Sequence, residues 1–95
     1  MTLPANVKPY RRTPLFTEAT TPAGLLTDHS TKSGVWGRIH VEAGELTYIV
    51  AETGGSTVLR AGQHAVIRPQ ERHRVSFDGP VAFFVEFLRE DVAPG

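Results

Sequence analysis

The chain has 95 residues, with 10 basic and 10 acidic side chains, and therefore a formal net charge of zero when its histidines are neutral. This length predicts a single domain over residues 1–95, and the balanced charge argues against a nucleic-acid partner, which would call for a basic excess. The absence of cysteine excludes disulfides, thiolate metal sites and a cysteine nucleophile.

No stretch of the sequence has the pattern of a signal peptide or the length of a membrane span. We therefore expect a cytoplasmic protein without a membrane partner. The low net charge also leaves little repulsion between copies of the chain, so a homodimer is compatible with the sequence.

Residues 1–22 read as an extended N-terminal arm. Prolines at positions 4, 9, 14 and 22 fix backbone angles and disfavour helix in the residues before them. We expect this arm to dock on the rest of the domain, with Leu15 and Phe16 as its apolar anchors. The alternative is a loosely held terminus.

Short apolar segments separated by turn residues follow from Gly24 onward. Alternation is cleanest over residues 35–42, where Ile39 and Val41 share one face of a predicted strand. We expect Ala43-Gly44 to form a turn before the next strand. The remaining predicted strands are residues 46–51, 57–60, 64–67, 73–77 and 81–88. Many short strands without a helical period predict an all-β sandwich or barrel.

Two histidines stand out as candidate ligands. His73 follows a proline-containing break and has the same strand parity as Val75 and Phe77, so its ring is expected at the rim of an apolar interior. A neutral imidazole in that position suits a divalent ion, although a core histidine bonded to a backbone carbonyl fits the spacing equally well. His29 precedes a polar loop and the long alternating strand, so it can face the same opening.

Glu86 lies within an apolar strand, where an unpaired carboxylate is costly. Metal ligation would relieve that cost, and so would an arginine such as Arg72 or Arg74. His29, His73 and Glu86 together would form an open three-ligand metal site. Zinc, iron and nickel all remain open as the metal.

Other polar residues carry weaker expectations. Lys32 in the loop after His29 and Arg72 beside His73 could contact a small-molecule or oxyanion ligand. His40 and His64 are expected to be solvated or at a rim. Phosphate-binding loops, serine nucleophile elbows and paired-histidine helix motifs are absent from the sequence.

Four further motifs are Pro22-Ala23-Gly24-Leu25-Leu26, His29-Ser30-Thr31-Lys32-Ser33-Gly34-Val35-Trp36-Gly37, Pro69-Gln70-Glu71-Arg72-His73 and Val85-Glu86-Phe87. Together they resemble the TehB/YeaR-like family of small cupins, whose domain is found fused to tellurite-resistance methyltransferases. The resemblance implies a cupin-type double-stranded β-helix, a jelly-roll barrel, whose mouth can hold a metal. Only His29 and His73 match the ligand positions of the cupin motifs. The chain has no room for the methyltransferase.

Three functional hypotheses follow. The first is a metal-binding module for a small molecule or for the response to tellurite or another oxyanion. The second is a metal-dependent enzyme of the oxygenase or isomerase type that uses the open coordination positions. The third is a metal-free barrel that pairs with itself through Trp36 and the neighbouring strand face.

Overall fold

The computed structural model describes residues 3–90. Within that range the chain forms strands and one short 3-10 helix, Ala23–Leu25. The strands are β1 Val7–Arg12, β2 Phe16–Thr17, β3 Val35–Val50, β4 Ser56–Arg60, β5 His64–Ile67, β6 His73–Ser76 and β7 Val81–Glu90. The all-β class predicted from the sequence is confirmed, and the cupin type within that class stays a prediction. The predicted domain also includes residues 1–2 and 91–95, which lie outside the described residues.

All strand pairs are antiparallel, and β3 is the centre of the sheet. Its first part pairs with β7 on one side and with β5 on the other. Its second part pairs with β4 and β6. One strand therefore contributes to two layers that enclose a common interior. None of the helical segments in residues 3–90 has the length and apolar character needed to cross a membrane.

The turn predicted at Ala43-Gly44 is wrong, because β3 runs through these residues without a break. A bulge between Val41 and Ala43 lets the strand bend from one layer to the other. Gly44 has a φ of 76°, and a Cβ there would collide with the carbonyl oxygen of Pro80. Glycine is thus required for a bend within one strand, because it can adopt the positive φ that many turns also need.

The bulge also explains which side chains of β3 face inward. Ile39 and Val41 are buried before it, whereas Leu46 and Tyr48 are buried after it. Strict alternation would have kept the odd-numbered positions inside. The extra residue at the bulge changes the parity, so the strand keeps an apolar inner face in both layers.

Residues of the N-terminal arm lie along β7. β1 pairs with the end of β7, and β2 pairs Phe16 with Phe83. The Phe16 and Phe83 rings are 5.7 Å apart between centroids. The Thr13 hydroxyl accepts a hydrogen bond from the Val85 N–H. These contacts bring the arm to the wall of the interior.

Candidate functional site

His29 and His73 lie opposite each other in an isolated antiparallel bridge. Each N–H donates to the carbonyl of the other residue, at 2.9 Å from His29 and 2.8 Å from His73. Directly opposed residues in an antiparallel pair project to the same face. The two rings accordingly meet edge to face, with centroids 4.3 Å apart. The structure thus brings together the two imidazoles singled out from the sequence.

Both imidazoles have the same hydrogen-bond arrangement. Nδ1 of His29 is 2.9 Å from the carbonyl oxygen of Thr27, and Nδ1 of His73 is 2.8 Å from the carbonyl oxygen of Glu71. A carbonyl can only accept, so each Nδ1 carries the proton. In the neutral rings Nε2 therefore has the lone pair, and carbonyl bonds of this kind orient metal-binding histidines.

His73 is held in its neutral form. Only 2% of the residue is exposed. Burial lowers the pKa of His73 below its ordinary value, and the charge of His29 lowers it further. The hydrogen bond to the Glu71 carbonyl raises the pKa but does not outweigh these two effects. A neutral ring at neutral pH offers its lone pair as a metal ligand or as a hydrogen-bond acceptor.

Tyr48 lies beside this pair, with its ring centroid 5.4 Å from that of His73. The residue is 5% exposed, and its hydroxyl is a buried polar atom without a hydrogen-bond partner in the described residues. Burial, then the negative charges of Glu71 and Glu52, raise the pKa of Tyr48 above its ordinary value. The hydroxyl therefore stays protonated and can donate to a ligand.

A cavity of about 310 Å³ has the two histidines and Tyr48 in its wall. Its other polar or charged lining residues are Tyr10, Arg11, Thr13, Ser30, Thr31 and Lys32, and its apolar lining residues are Leu25, Val35, Ile39, Ile67, Val75, Phe83, Val85 and Phe87. This volume is at the lower end of the range for small-molecule pockets, roughly 300–1,000 Å³. A mostly apolar wall with a few convergent polar groups is typical of a ligand site.

Glu86 does not join the histidines, and its predicted place in the metal site needs correction. Its carboxylate accepts two hydrogen bonds from Arg38, at 3.0 and 2.8 Å, and lies 3.2 Å from Nε2 of His40. The inward residues of β7 at this level are Val85 and Phe87, which line the cavity, whereas Glu86 does not. Among residues 3–90 there is no cluster of three or more His, Cys, Asp or Glu side chains suited to a metal.

Burial of the Glu86 carboxylate alone would raise its pKa, but the hydrogen bonds from Arg38 and His40 outweigh it and lower the pKa. An arginine does relieve the cost of this carboxylate, but it is Arg38 instead of Arg72 or Arg74. His40 was expected to be solvated, yet it is half-buried and stacks on Phe84 at 4.7 Å. His64 is exposed, as expected.

The two predicted ligand contacts are placed differently. Lys32 lines the cavity. Arg72 does not line it, and its guanidinium is 3.5 Å from the carboxylate of Asp28. Arg74 also bonds to Asp28, at 3.2 Å. Arg74 in β6 and Arg72 just before it thus connect to Asp28, the residue that precedes His29.

Tyr48 and Arg11 line the cavity but were not singled out from the sequence. Tyr48 shares strand parity with Leu46, and a tyrosine on an apolar face needs a partner for its hydroxyl. That signal was available in the sequence. Arg11 was not identifiable in this way, because its approach to the cavity depends on the pairing of β1 with β7.

Comparisons with known proteins identify the family of the chain. The family model described as TehB-like domain matches residues 11–85. YeaR of Escherichia coli (strain K12) is 32% identical over 82 residues, covering 77% of this chain and 69% of YeaR.

Two solved structures have a similar fold. A protein of Escherichia coli (strain K12) has a TM-score of 0.83 at 28% identity, covering 100% of this chain and 99% of that protein. TehB from Haemophilus influenzae has a TM-score of 0.81 at 24% identity, covering 90% of this chain. The present chain spans only 32% of that TehB chain. Since the family match extends over most of the sequence, the protein belongs to the family of TehB-like domains.

Proposed function

We propose that the protein holds a divalent metal ion between His29 and His73 and presents it to a small molecule in the cavity. The observation that carries this proposal is that both rings are bonded to a backbone carbonyl through Nδ1, which leaves Nε2 unprotonated in each neutral ring. Each Nδ1 donates to a backbone carbonyl, so two Nε2 lone pairs belong to rings whose centroids are 4.3 Å apart. A divalent ion held by both Nε2 atoms would use both lone pairs at once.

The donor set fits zinc, iron or nickel in kind, since imidazole nitrogen suits all three. Two protein ligands leave the remaining coordination positions to water or to a bound molecule. The unpartnered Tyr48 hydroxyl would then have a ligand or water oxygen to donate to. A bound ion would supply Lewis-acid polarisation of such an oxygen.

The residues of the chain would orient and shield this site. The carbonyls of Thr27 and Glu71 fix the two rings, and the main-chain bridge fixes their separation. Apolar side chains of β3 and β7 form much of the wall and limit the entry of water. Such a site suits a binding module for a small molecule or for an oxyanion stress response. The enzyme and self-pairing hypotheses stay predictions.

The test is elemental analysis of protein purified without chelator, followed by calorimetric titration with Zn²⁺, Ni²⁺ and, under anaerobic conditions, Fe²⁺. We expect about one ion per chain in the wild type. His29→Ala, His73→Ala and the double variant should lose it, while His64→Ala, a control at an exposed histidine, should keep it. Circular dichroism would check that each variant is folded. Equally metal-free wild-type and double-variant protein would contradict the proposal.

A further inference from the structure

The charged side chains of the cavity are of one sign. Arg11 and Lys32 line it, and no aspartate or glutamate of the described residues does. Neither basic side chain has an ion pair to another residue within 3–90. Lys32 follows His29 in the same loop. Positive charge without a balancing carboxylate favours an anion in the cavity.

The rest of the wall favours an apolar body. Ile39, Val75, Phe83 and Val85 are buried core residues that also line the cavity. An inorganic oxyanion alone would leave this surface without a partner and would be poorly matched to it. An apolar group of the ligand would cover it and would gain the free energy of leaving water.

The Tyr48 hydroxyl is a third feature of the cavity that restricts its ligand. It is buried and lacks a partner among the described residues, and its residue lines the cavity next to His73. A purely apolar ligand would leave this hydroxyl unsatisfied, which costs free energy. A ligand oxygen near the imidazoles would accept its hydrogen bond.

From these three features we infer that the cavity binds a small organic anion, with a carboxylate-like group toward Tyr48 and the basic residues and an apolar body against the core. This inference rests on the proposed binding role of the cavity and adds the class of its ligand. A cationic ligand would find no carboxylate in the described wall. A neutral alcohol would satisfy Tyr48 but would make no use of Arg11 and Lys32.

The experiment compares matched probes by calorimetry or protein-observed NMR, with metal-loaded and with metal-free protein. The anions are benzoate and hexanoate, the neutral counterparts are benzyl alcohol and 1-hexanol, and acetate lacks the apolar body. We expect each larger anion to bind about tenfold more tightly than its alcohol and than acetate. Equal or tighter binding of the alcohols would overturn the inference.

Variants assign the contacts. Tyr48→Phe should weaken benzoate binding about tenfold, because it removes a hydrogen bond to a charged group. Lys32→Gln and Arg11→Gln should each weaken it about threefold. Arg60→Gln is the matched control, since Arg60 is 70% exposed and pairs with Glu45 away from the cavity. Unchanged affinity in all three cavity variants would also overturn the inference.

The two proposals fail in different ways. Metal bound through the histidines, with no preference for the organic anions, would leave the metal site standing and reject the ligand class. Anion binding that requires Tyr48, in protein that never takes up metal, would support the ligand class and reject the metal site.

Discussion

His29 and His73 hold each other through a pair of main-chain hydrogen bonds, of 2.9 and 2.8 Å, although they are distant in sequence. The separation of their rings is therefore set by the backbone and does not depend on a bound ligand. A site that is arranged before binding loses less entropy when its ligand arrives. The same bridge places one imidazole in a buried position, which has a consequence for stability.

The stability of the protein should decrease in mildly acidic solution because of His73. Burial lowers the pKa of this histidine below its ordinary value of 6.5, so below pH 6.5 the unfolded chain takes up a proton that the folded chain resists. The free energy of unfolding should fall as the pH drops from 6.5 toward the lowered pKa. Above about pH 7.5 this group should have no effect.

Urea unfolding of metal-free protein at a series of pH values between about 5 and 8 would measure this dependence. The wild type should have a steeper decrease than His73→Gln, whose side chain does not titrate. The same slope in both proteins would show that His73 is not the group responsible.

Replacing Tyr48 with phenylalanine should stabilise the ligand-free protein while weakening binding. The hydroxyl is buried without a partner in the described residues, and removing such a group relieves a desolvation cost of about 1 kcal/mol. Chemical denaturation of metal-free and ligand-free protein would test this expectation. A clear loss of stability would mean that the hydroxyl makes a favourable contact in the folded state.

Glu86→Gln should lower stability without changing metal content. The Glu86 side chain is 19% exposed and forms its ion pair with Arg38, so we expect a loss of about 1 kcal/mol at neutral pH. Its pKa is lowered from 4.5, so the stabilisation is present above pH 4.5 and is lost as the pH falls further. Denaturation and elemental analysis of the same preparations would check both parts. Loss of metal in the Glu86→Gln variant would indicate that Glu86 is a metal ligand.

Gly44→Ala should be strongly destabilising, because alanine would need a φ of 76° and its Cβ would meet the Pro80 carbonyl. Backbone strain of this kind costs about 1–3 kcal/mol. Gly24→Ala is the control, since a Cβ at Gly24 has no atom within 4 Å. Thermal or chemical unfolding of the two variants would compare them. Equal stabilities would show that β3 can bend without glycine.

Local patterns predicted the strands well but not the way they are joined. Ile39 and Val41 identified the inner face of β3 because alternation is a property of neighbouring residues. Ala43-Gly44 was misread because a positive φ serves both a turn and a bulge, and the choice depends on the distant Pro80. The family was predicted correctly from its motifs.

The candidate site was predicted in part for similar reasons. His29 and His73 were predicted to face one opening, but local patterns could not show that a long-range backbone bridge pairs them directly. Glu86 was misplaced because apolar residues occupy both faces of β7. Phe84 lies on the same face of β7 as Glu86, where it stacks with His40 and is 5.1 Å from the Arg12 guanidinium. Apolar residues next to Glu86 in the sequence therefore did not show that Glu86 faces the interior.

The path of β3 through both layers constrains how this domain can change in evolution. An insertion or deletion near Val41 would alter the register with β7 and β5 and, at the same time, the placement of Leu46 and Tyr48 on the other layer. Relatives should therefore keep the length of this strand, since a change there would move Tyr48 at the candidate site together with the pairing of β7.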